Sequence, residues 1–286
     1  MEAKHHIKGR KLIIDFVRFL IVIIAAIICL FPFIWMIRTS LVNPSLINNG
    51  SSVLFTTDVV FDGYIAAFTE DGGRIWLAYG NSLFIGIVST LGTLFTSSLA
   101  AYAFAKVRFR GANIVYALFI ATLMLPGQVT MIPLFGMFSA VRLVDTFVPL
   151  ILPGVLINTY GVFMLRSFII SIPDSILEAG EIDGCGYFRN YFKIILPLMV
   201  PALITLGLFT FIGSWNNYMG HLIYLNYETN PTIPLFIQSF RGVTVTGEQW
   251  NKVMAASTVS IIPIAVIYLA CQKYFVQGIA TTGIKL

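Results

Sequence analysis

The stretch SILEAGEIDGCGYFRNYFKIILPLMVP, Ser175 to Pro201, gathers charge that the flanking segments lack. Glu178, Glu181 and Asp183 come first, with Asp174 just ahead of them, and Arg189 and Lys193 follow. Metal or redox chemistry has no ligand set here, because Cys29, Cys185 and Cys271 are far apart and match no known spacing. They read as small apolar packing residues. His5 and His6 read as solvated tail, and His221 as an interfacial side chain. No Gly-Lys pair occurs, so the chain carries no phosphate-binding loop of the Walker type. The apolar runs are almost free of Asp and Glu, with Asp145 at an end, which disfavours a proton relay. Sodium coupling through backbone carbonyls stays open. What the charged stretch offers is a surface for docking.

The elements that must position it are apolar. Of 286 residues, 57% are hydrophobic and 11% charged, with a mean hydropathy of +0.86. Soluble domains carry about 25% charged residues, so the chain is read as an all-α polytopic membrane protein. Six spans of roughly 20 residues each are expected: Phe16–Ile37, Asn81–Ala105, Ile114–Met137, Val144–Leu165, Ile194–Ile223 and Val253–Phe275. The first is too long for a signal peptide and no cleavage site follows it. This divides the chain into an amino-terminal tail (1–15), a six-span domain (16–275) and a carboxyl-terminal tail (276–286). Span two, GIVSTLGTLFTSSLAAYAFA, is rich in small residues that suit close helix approach. Pro126-Gly127 in span three predicts a kink or break, which belongs against protein or a wet cavity rather than lipid.

Lys and Arg set the orientation. Lys4, Lys8, Arg10 and Lys11 precede span one, and Lys106, Arg108 and Arg110 follow span two without an acid among them. The loop between those spans carries Asp58, Asp62, Glu70 and Asp71 against Arg38 and Arg74. Both termini are therefore expected in the cytoplasm, with the charged stretch in the cytoplasmic loop between spans four and five. The net charge of +5 is accounted for by that inner face, which removes the case for nucleic acid.

Within the loop, Ile172-Pro173-Asp174 predicts a helix start, continued through Ile182 and broken by Gly184 and Gly186. YFRNYFKIILP then begins a second helix leading into span five. Ile176, Ala179 and Gly180 share one side at helical spacing, with Ile182 near its edge. The small residues would let another protein come close. An amphipathic helix lying on lipid is the alternative, but such helices usually show basic polar faces to the anionic leaflet. This one opens with four acids.

Glu178-Ala179-Gly180, three residues, Gly184, nine residues, then Ile194-x-Leu196-Pro197 resembles the EAA motif of ABC importer permeases. Gly180 departs from the family's usual Ala. MLPGQVTMIPLF (Met124–Phe135), LVDTFVPLILP (Leu143–Pro153), FMLRSFIISIPDSILEAGEIDGC (Phe163–Cys185) and the segment from Met254 to Leu286 resemble the carbohydrate branch, closest to the second permease of maltose- and oligosaccharide-type importers. WNNYM (Trp215–Met219) does so too, with Asn217 where the family usually has an acid.

The resemblance implies a type I ABC importer permease fold and transport of a sugar or oligosaccharide, with no catalysis and no cofactor on this chain. ATP and magnesium would be handled by two cytoplasmic ATPase subunits. The further partners implied are a second homologous permease completing a heterodimer, an extracytoplasmic solute-binding protein and the bilayer of a prokaryotic cytoplasmic membrane. Helices at about 173–190 would couple to the ATPase through Glu178, Ala179, Gly180, Asp183, Gly184, Leu196 and Pro197. The tail would reach towards it through Gly278, Ala280, Gly283 and Lys285. The long first outer loop with Trp76 and Tyr79, and the loop Asn226–Asn251, are the expected docking surfaces for the binding protein. Sugars bind through hydrogen bonds and aromatic stacking, which nominates Gln128, Asn158, Tyr160, Trp215, Asn216, Asn217 and Tyr218. Each of these can instead simply link neighbouring helices. A permease for a polyamine, a phosphorylated glycerol or a peptide, and a non-transporting scaffold or channel, are the other readings.

Overall fold

Helices account for every regular element among the described residues. The computed structural model describes residues 2–48, 57, 59–242 and 249–283, with side chains described for 14–47, 57, 59–240 and 249–273. In chain order the helices are α1 (Glu2–Ser40), α2 (Pro44–Asn48), α3 (Asp62–Thr69), α4 (Ile75–Lys106), α5 (Ala112–Ala121), α6 (Gly127–Ala140), α7 (Val148–Leu156) and α8 (Thr159–Ile170). There follow α9 (Asp174–Ile182), α10 (Tyr187–Asn190), α11 (Leu196–Leu198), α12 (Val200–Trp215), α13 (Tyr218–Tyr224), α14 (Ile233–Gly242) and α15 (Trp250–Gly283).

Among the described residues, Ile14–Ser40, Ile75–Lys106, Val148–Ile170 and Trp250–Lys273 are each long and apolar enough to cross a bilayer. Ala112–Met124 with Gly127–Ala140, and Tyr187–Leu198 with Val200–Trp215, are pairs bent by 100° and 76°. With each bent pair taken as one span, the six expected spans are present at shifted boundaries. Span two begins at Ile75 rather than Asn81, so Trp76 and Tyr79 lie on a helix and not in the preceding loop. Span four starts at Val148, and span five stops at Trp215 instead of running to Ile223. Helix α15 continues to Gly283, through most of the stretch read as a tail.

The bends have local causes. Pro126 carries extended backbone (ψ 131°) and starts α6 in a new direction. Before Pro197 the residues Tyr191–Ile195 form a π-helical turn, with the Leu196 N–H reaching back to Tyr191 O. Pro197 and Pro201 supply no N–H to the turns before them, and the chain swings between α11 and α12. Span four is also interrupted. The Asn158 side chain caps α8 by accepting from Gly161 N–H (2.6 Å). The carbonyls released at the end of α7 are taken by α4: Thr93 donates to Gly154 O (3.1 Å) and Thr96 to Val155 O (2.6 Å). This is how a broken helix is kept satisfied at membrane depth.

The chain forms two compact units. One holds Met1–Glu70 and Ser239–Val259. In it the Ser40 hydroxyl meets the Tyr64 hydroxyl at 2.8 Å, and Lys252 pairs with Glu70. A Cβ on Gly63 would stand 2.7 Å from Asn251 O, so only glycine allows α3 that close. The side chains of α1 from Ile14 to Trp35 stay exposed.

The other unit, Asp71–Gln238 and Ser260–Leu286, is built around α4. Its buried stripe (Ala78, Ser82, Ile85, Ser89, Thr93, Ser97, Ala101) faces α7, α8 and α12 at helical spacing. The small residues let side chains of the neighbours lie on the α4 backbone, with Phe211 over Gly86 and Val155 over Gly92. Span two thus packs as its composition predicts. A second cluster joins Tyr102, Leu165, Ile169, Leu177, Tyr191, Ile195 and Leu206. Leu177 brings α9 into that core.

Candidate functional site

Helix α9 is short, so its ends decide its orientation. At the carboxyl end Gly184 has φ +77°, its N–H donating to Glu181 O (3.0 Å) and the next N–H, of Cys185, to Gly180 O (2.8 Å). That is a Schellman cap, whose left-handed position glycine fills without steric cost. Leu177 (8% exposed) and Gly180 point inward. A Cβ on Gly180 would lie 2.6 Å from Asn190 Oδ1 and 2.7 Å from Ile194 Cδ1. Gly180 therefore serves the packing of α9 on α10 and the π-helical turn. It does not share an outer side with Ile176 and Ala179 as the spacing suggested, because it sits on the Leu177 face. The outward side is Ser175, Glu178, Ala179 and Ile182. Ile182 is 87% exposed, beside exposed Glu181, Asp183 and Gly184. Ile182 thus joins the carboxylates on the outer face of α9. Leu196 is half-buried and Pro197 exposed where α10 turns towards α12.

Two cations hold this end of the unit. Lys106, in the last turn of α4, donates to Ile172 O (2.6 Å) and to Asp174 (2.6 Å). The hydrogen bond and charge of Lys106 hold the Asp174 carboxyl below the ordinary aspartate range. Arg166 of α8 donates to Phe104 O (3.2 Å) and lies 4.1 Å from the Tyr116 ring centroid. Between them opens a cleft of about 950 Å³ lined by Lys106, Arg108, Arg166, Asp174, Glu178 and Glu181, among others.

At the far end of α4, about 48 Å away at 1.5 Å per residue, a loop is knotted around Asp145. Its carboxylate accepts from Asn226 N–H (2.9 Å), the Thr229 hydroxyl (2.6 Å) and Asn230 Nδ2 (3.0 Å), and its own N–H donates to Tyr224 O (2.8 Å). Nearby Arg74 pairs with Glu228 (2.7 Å), and the Tyr227 hydroxyl donates to Asp71 (2.7 Å). Burial raises the Asp145 pKa, but the hydrogen bonds from Thr229, Asn226 and Asn230 outweigh it, and the carboxyl lies below its ordinary value. Because the folded pKa is depressed, the knot's contribution is full above the ordinary aspartate value and is lost as pH falls through the folded one. Limited proteolysis of residues 225–231 in detergent should be slow at neutral pH and fast in acid. Asp145→Asn should be cleaved quickly at both, with the acid-dependent step gone.

The residues nominated for a solute path have different surroundings in the single chain. Trp215 is 2% exposed, stacked on Phe211 (5.7 Å between centroids) and donating its indole N–H to Ser260 O (3.2 Å). Its apolar body and its one donor are both satisfied inside the helix bundle. Asn158 and Asn217 are the caps of α8 and α13, the latter accepting from Gly220 N–H (3.0 Å). Gln128, Tyr160 and Asn216 are exposed and Tyr218 is half-buried. His221 is buried in α13. Gly278, Ala280 and Gly283 lie on the backbone of α15 with their surroundings outside the described residues, as is Lys285 altogether. Lys106, Arg166, Asp145 and Arg74 were missed as structural ties. Lys106 and Arg74 entered only the topology count, Asp145 only the case against a proton relay and Arg166 not at all, because their partners lie far away in sequence.

Comparison with known proteins gives a consistent result. A family model described as binding-protein-dependent transport system inner membrane component matches residues 92–281. The arabinooligosaccharides transport system permease protein AraQ of Halalkalibacterium halodurans is 33% identical over 263 residues, 91% of this chain and 92% of that one. The trehalose/maltose transport system permease protein MalG of Thermococcus litoralis is 33% identical over 267 residues, 92% and 94% of the two chains. A chain of a bacterial ABC transporter involved in the import of the acidic polysaccharide alginate superposes with a TM-score of 0.79 at 26% identity, covering 92% of this chain and 96% of that one.

Proposed function

The chain belongs to the family of binding-protein-dependent transport system inner membrane components, and from that premise we propose that it is the permease of an ATP-driven importer for a sugar or oligosaccharide. It works as one half of a permease pair in a prokaryotic cytoplasmic membrane, with both termini and α9 on the inner side. ATP and magnesium belong to two separate ATPase subunits, and a binding protein delivers solute from outside. The likeness to oligosaccharide permeases over nine-tenths of the chain supports the substrate class.

The observation that carries the coupling role is α9 itself: an acidic, apolar outer face on a helix whose inner face is built into the core through Leu177 and Gly180. A push on the outer face moves the bundle. ATP binding closes the ATPase pair, α9 follows, and the spans pass from one facing to the other. Both the ATPase pair and the binding protein must prefer the same conformer for this to work. The second permease also has a place to sit. The Leu125–Gly127 break is exposed in the single chain, and freed backbone cannot face lipid.

Co-purification from the native membrane, followed by ATPase assays with the binding protein and a panel of saccharides, tests the reading. The expected partners are two ATPase copies and one further permease. The isolated chain should hydrolyse ATP no faster than a buffer blank, and turnover by this polypeptide alone would end the proposal.

A further inference from the structure

Lys106 and Arg166 stand outside the EAA-like residues, yet both tie helices together where α9 joins the bundle. Each is a cation on one helix that donates to a main-chain carbonyl on another element. Arg166 of α8 reaches Phe104 O near the end of α4, and Lys106 at the end of α4 reaches Ile172 O just past the end of α8. Lys106 adds Asp174, the first residue of α9. The Lys106 side chain is 7% exposed, whereas that of Asp174 is 71% exposed.

Helix α9 has two kinds of attachment to the unit. Leu177 and Gly180 attach it by contact. Such contact resists compression, but it has no directional bond and its attraction falls steeply once the surfaces part. Lys106 attaches it by short charge-assisted hydrogen bonds, which are directional and hold in both senses. An importer cycle needs α9 to be pushed on closure of its partner and drawn back on opening. We propose that Lys106 is a positioning residue for transport: by bonding Ile172 O and Asp174 it makes the start of α9 and the end of α4 move as one body. Displacement of α9 then enters the central helix of the unit as well as α10 and α12. This rests on the coupling reading above.

Replacement with Met keeps the apolar stem and removes the donors. Asp174 is exposed and simply hydrates, so no buried charge is left alone and the fold should survive. The test uses the full complex in liposomes, with binding protein loaded from a defined mixture of malto- and arabino-oligosaccharides. It reads solute imported per ATP hydrolysed, relative to wild type with the same mixture. Lys106→Met should lower that ratio about tenfold, a typical coupling between sites. Lys106→Arg should restore it. Asp174→Asn should fall between, because Ile172 O still binds the cation. An unchanged ratio in Lys106→Met, even with less complex in the membrane, overturns the proposal and leaves Lys106 as a structural tie. If Lys106→Met does not assemble, Asp174→Asn decides, and a wild-type ratio there overturns it equally. Glu178→Lys is the control that separates the two claims. Uncoupling by Glu178→Lys but not by Lys106→Met removes the Lys106 link alone, whereas full coupling in both removes the coupling role of α9.

Discussion

Glu178→Lys leaves the permease inserted and lowers transport about a hundredfold, near the upper end of couplings between distant sites. Glu178 lies on the outer side of α9 with Ala179 and Ile182, and its carboxylate lines the cleft beside Lys106 and Arg108. Glu178 is exposed, so reversing its charge costs the fold little. The cost falls on the partner surface, where a charge complement becomes a repulsion. Gly184→Asp reaches the same end by geometry. At φ +77° a side chain costs about 1–2 kcal/mol, at the low end for Asp. The alternative is to open the Schellman turn that aims Cys185 and Gly186 into α10. Membrane fractionation checks insertion, and uptake with ATPase assembly checks coupling. Full uptake and normal assembly in both variants would falsify the docking role of α9.

Trp215→Ala destabilises the chain by about 3–5 kcal/mol, the usual cost of deleting a buried aromatic side chain. The indole loses its stack on Phe211, its contact with Tyr79 (5.9 Å between centroids) and its bond to Ser260 O. Trp215→Phe keeps the stack and loses chiefly one hydrogen bond, about 1 kcal/mol. Asn216→Ala and Tyr160→Ala, both at exposed positions, should stay within about 0.5 kcal/mol of wild type. Thermal unfolding in detergent ranks the four. A Trp215→Ala protein as stable as wild type, with a raised half-saturating sugar concentration, would return this tryptophan to the solute path.

Much of α9 was legible in advance for a physical reason. Its start at Pro173-Asp174, its stop at Gly184 and its acids are local properties of a few consecutive residues. The same holds for the Pro126 break and for the small residues of α4, whose need for close approach follows from their size. Trp215 shows the opposite case. Its type is equally suited to stack on a sugar or to fill a core, and only the position of Phe211 and Ser260 decides between them. Asn158 and Asn217 were noticed as polar residues inside spans, but their use as helix caps depends on breaks that their own neighbourhood does not announce.

What the sequence by itself determined is therefore the class of chain, the apolar segments and the place of the charged helix along the chain, since apolar length, proline and glycine act locally. The tertiary structure alone decided which way that helix faces and what holds it. Gly180 turned out to be an inward contact for Asn190 and Ile194, and Lys106 a tie to Asp174 across 68 positions. Asp145 likewise gathers Thr229 and Asn230 from more than 80 positions away. Such pairings arise when packing brings distant groups into hydrogen-bonding range, and no local pattern of residue types encodes the distance.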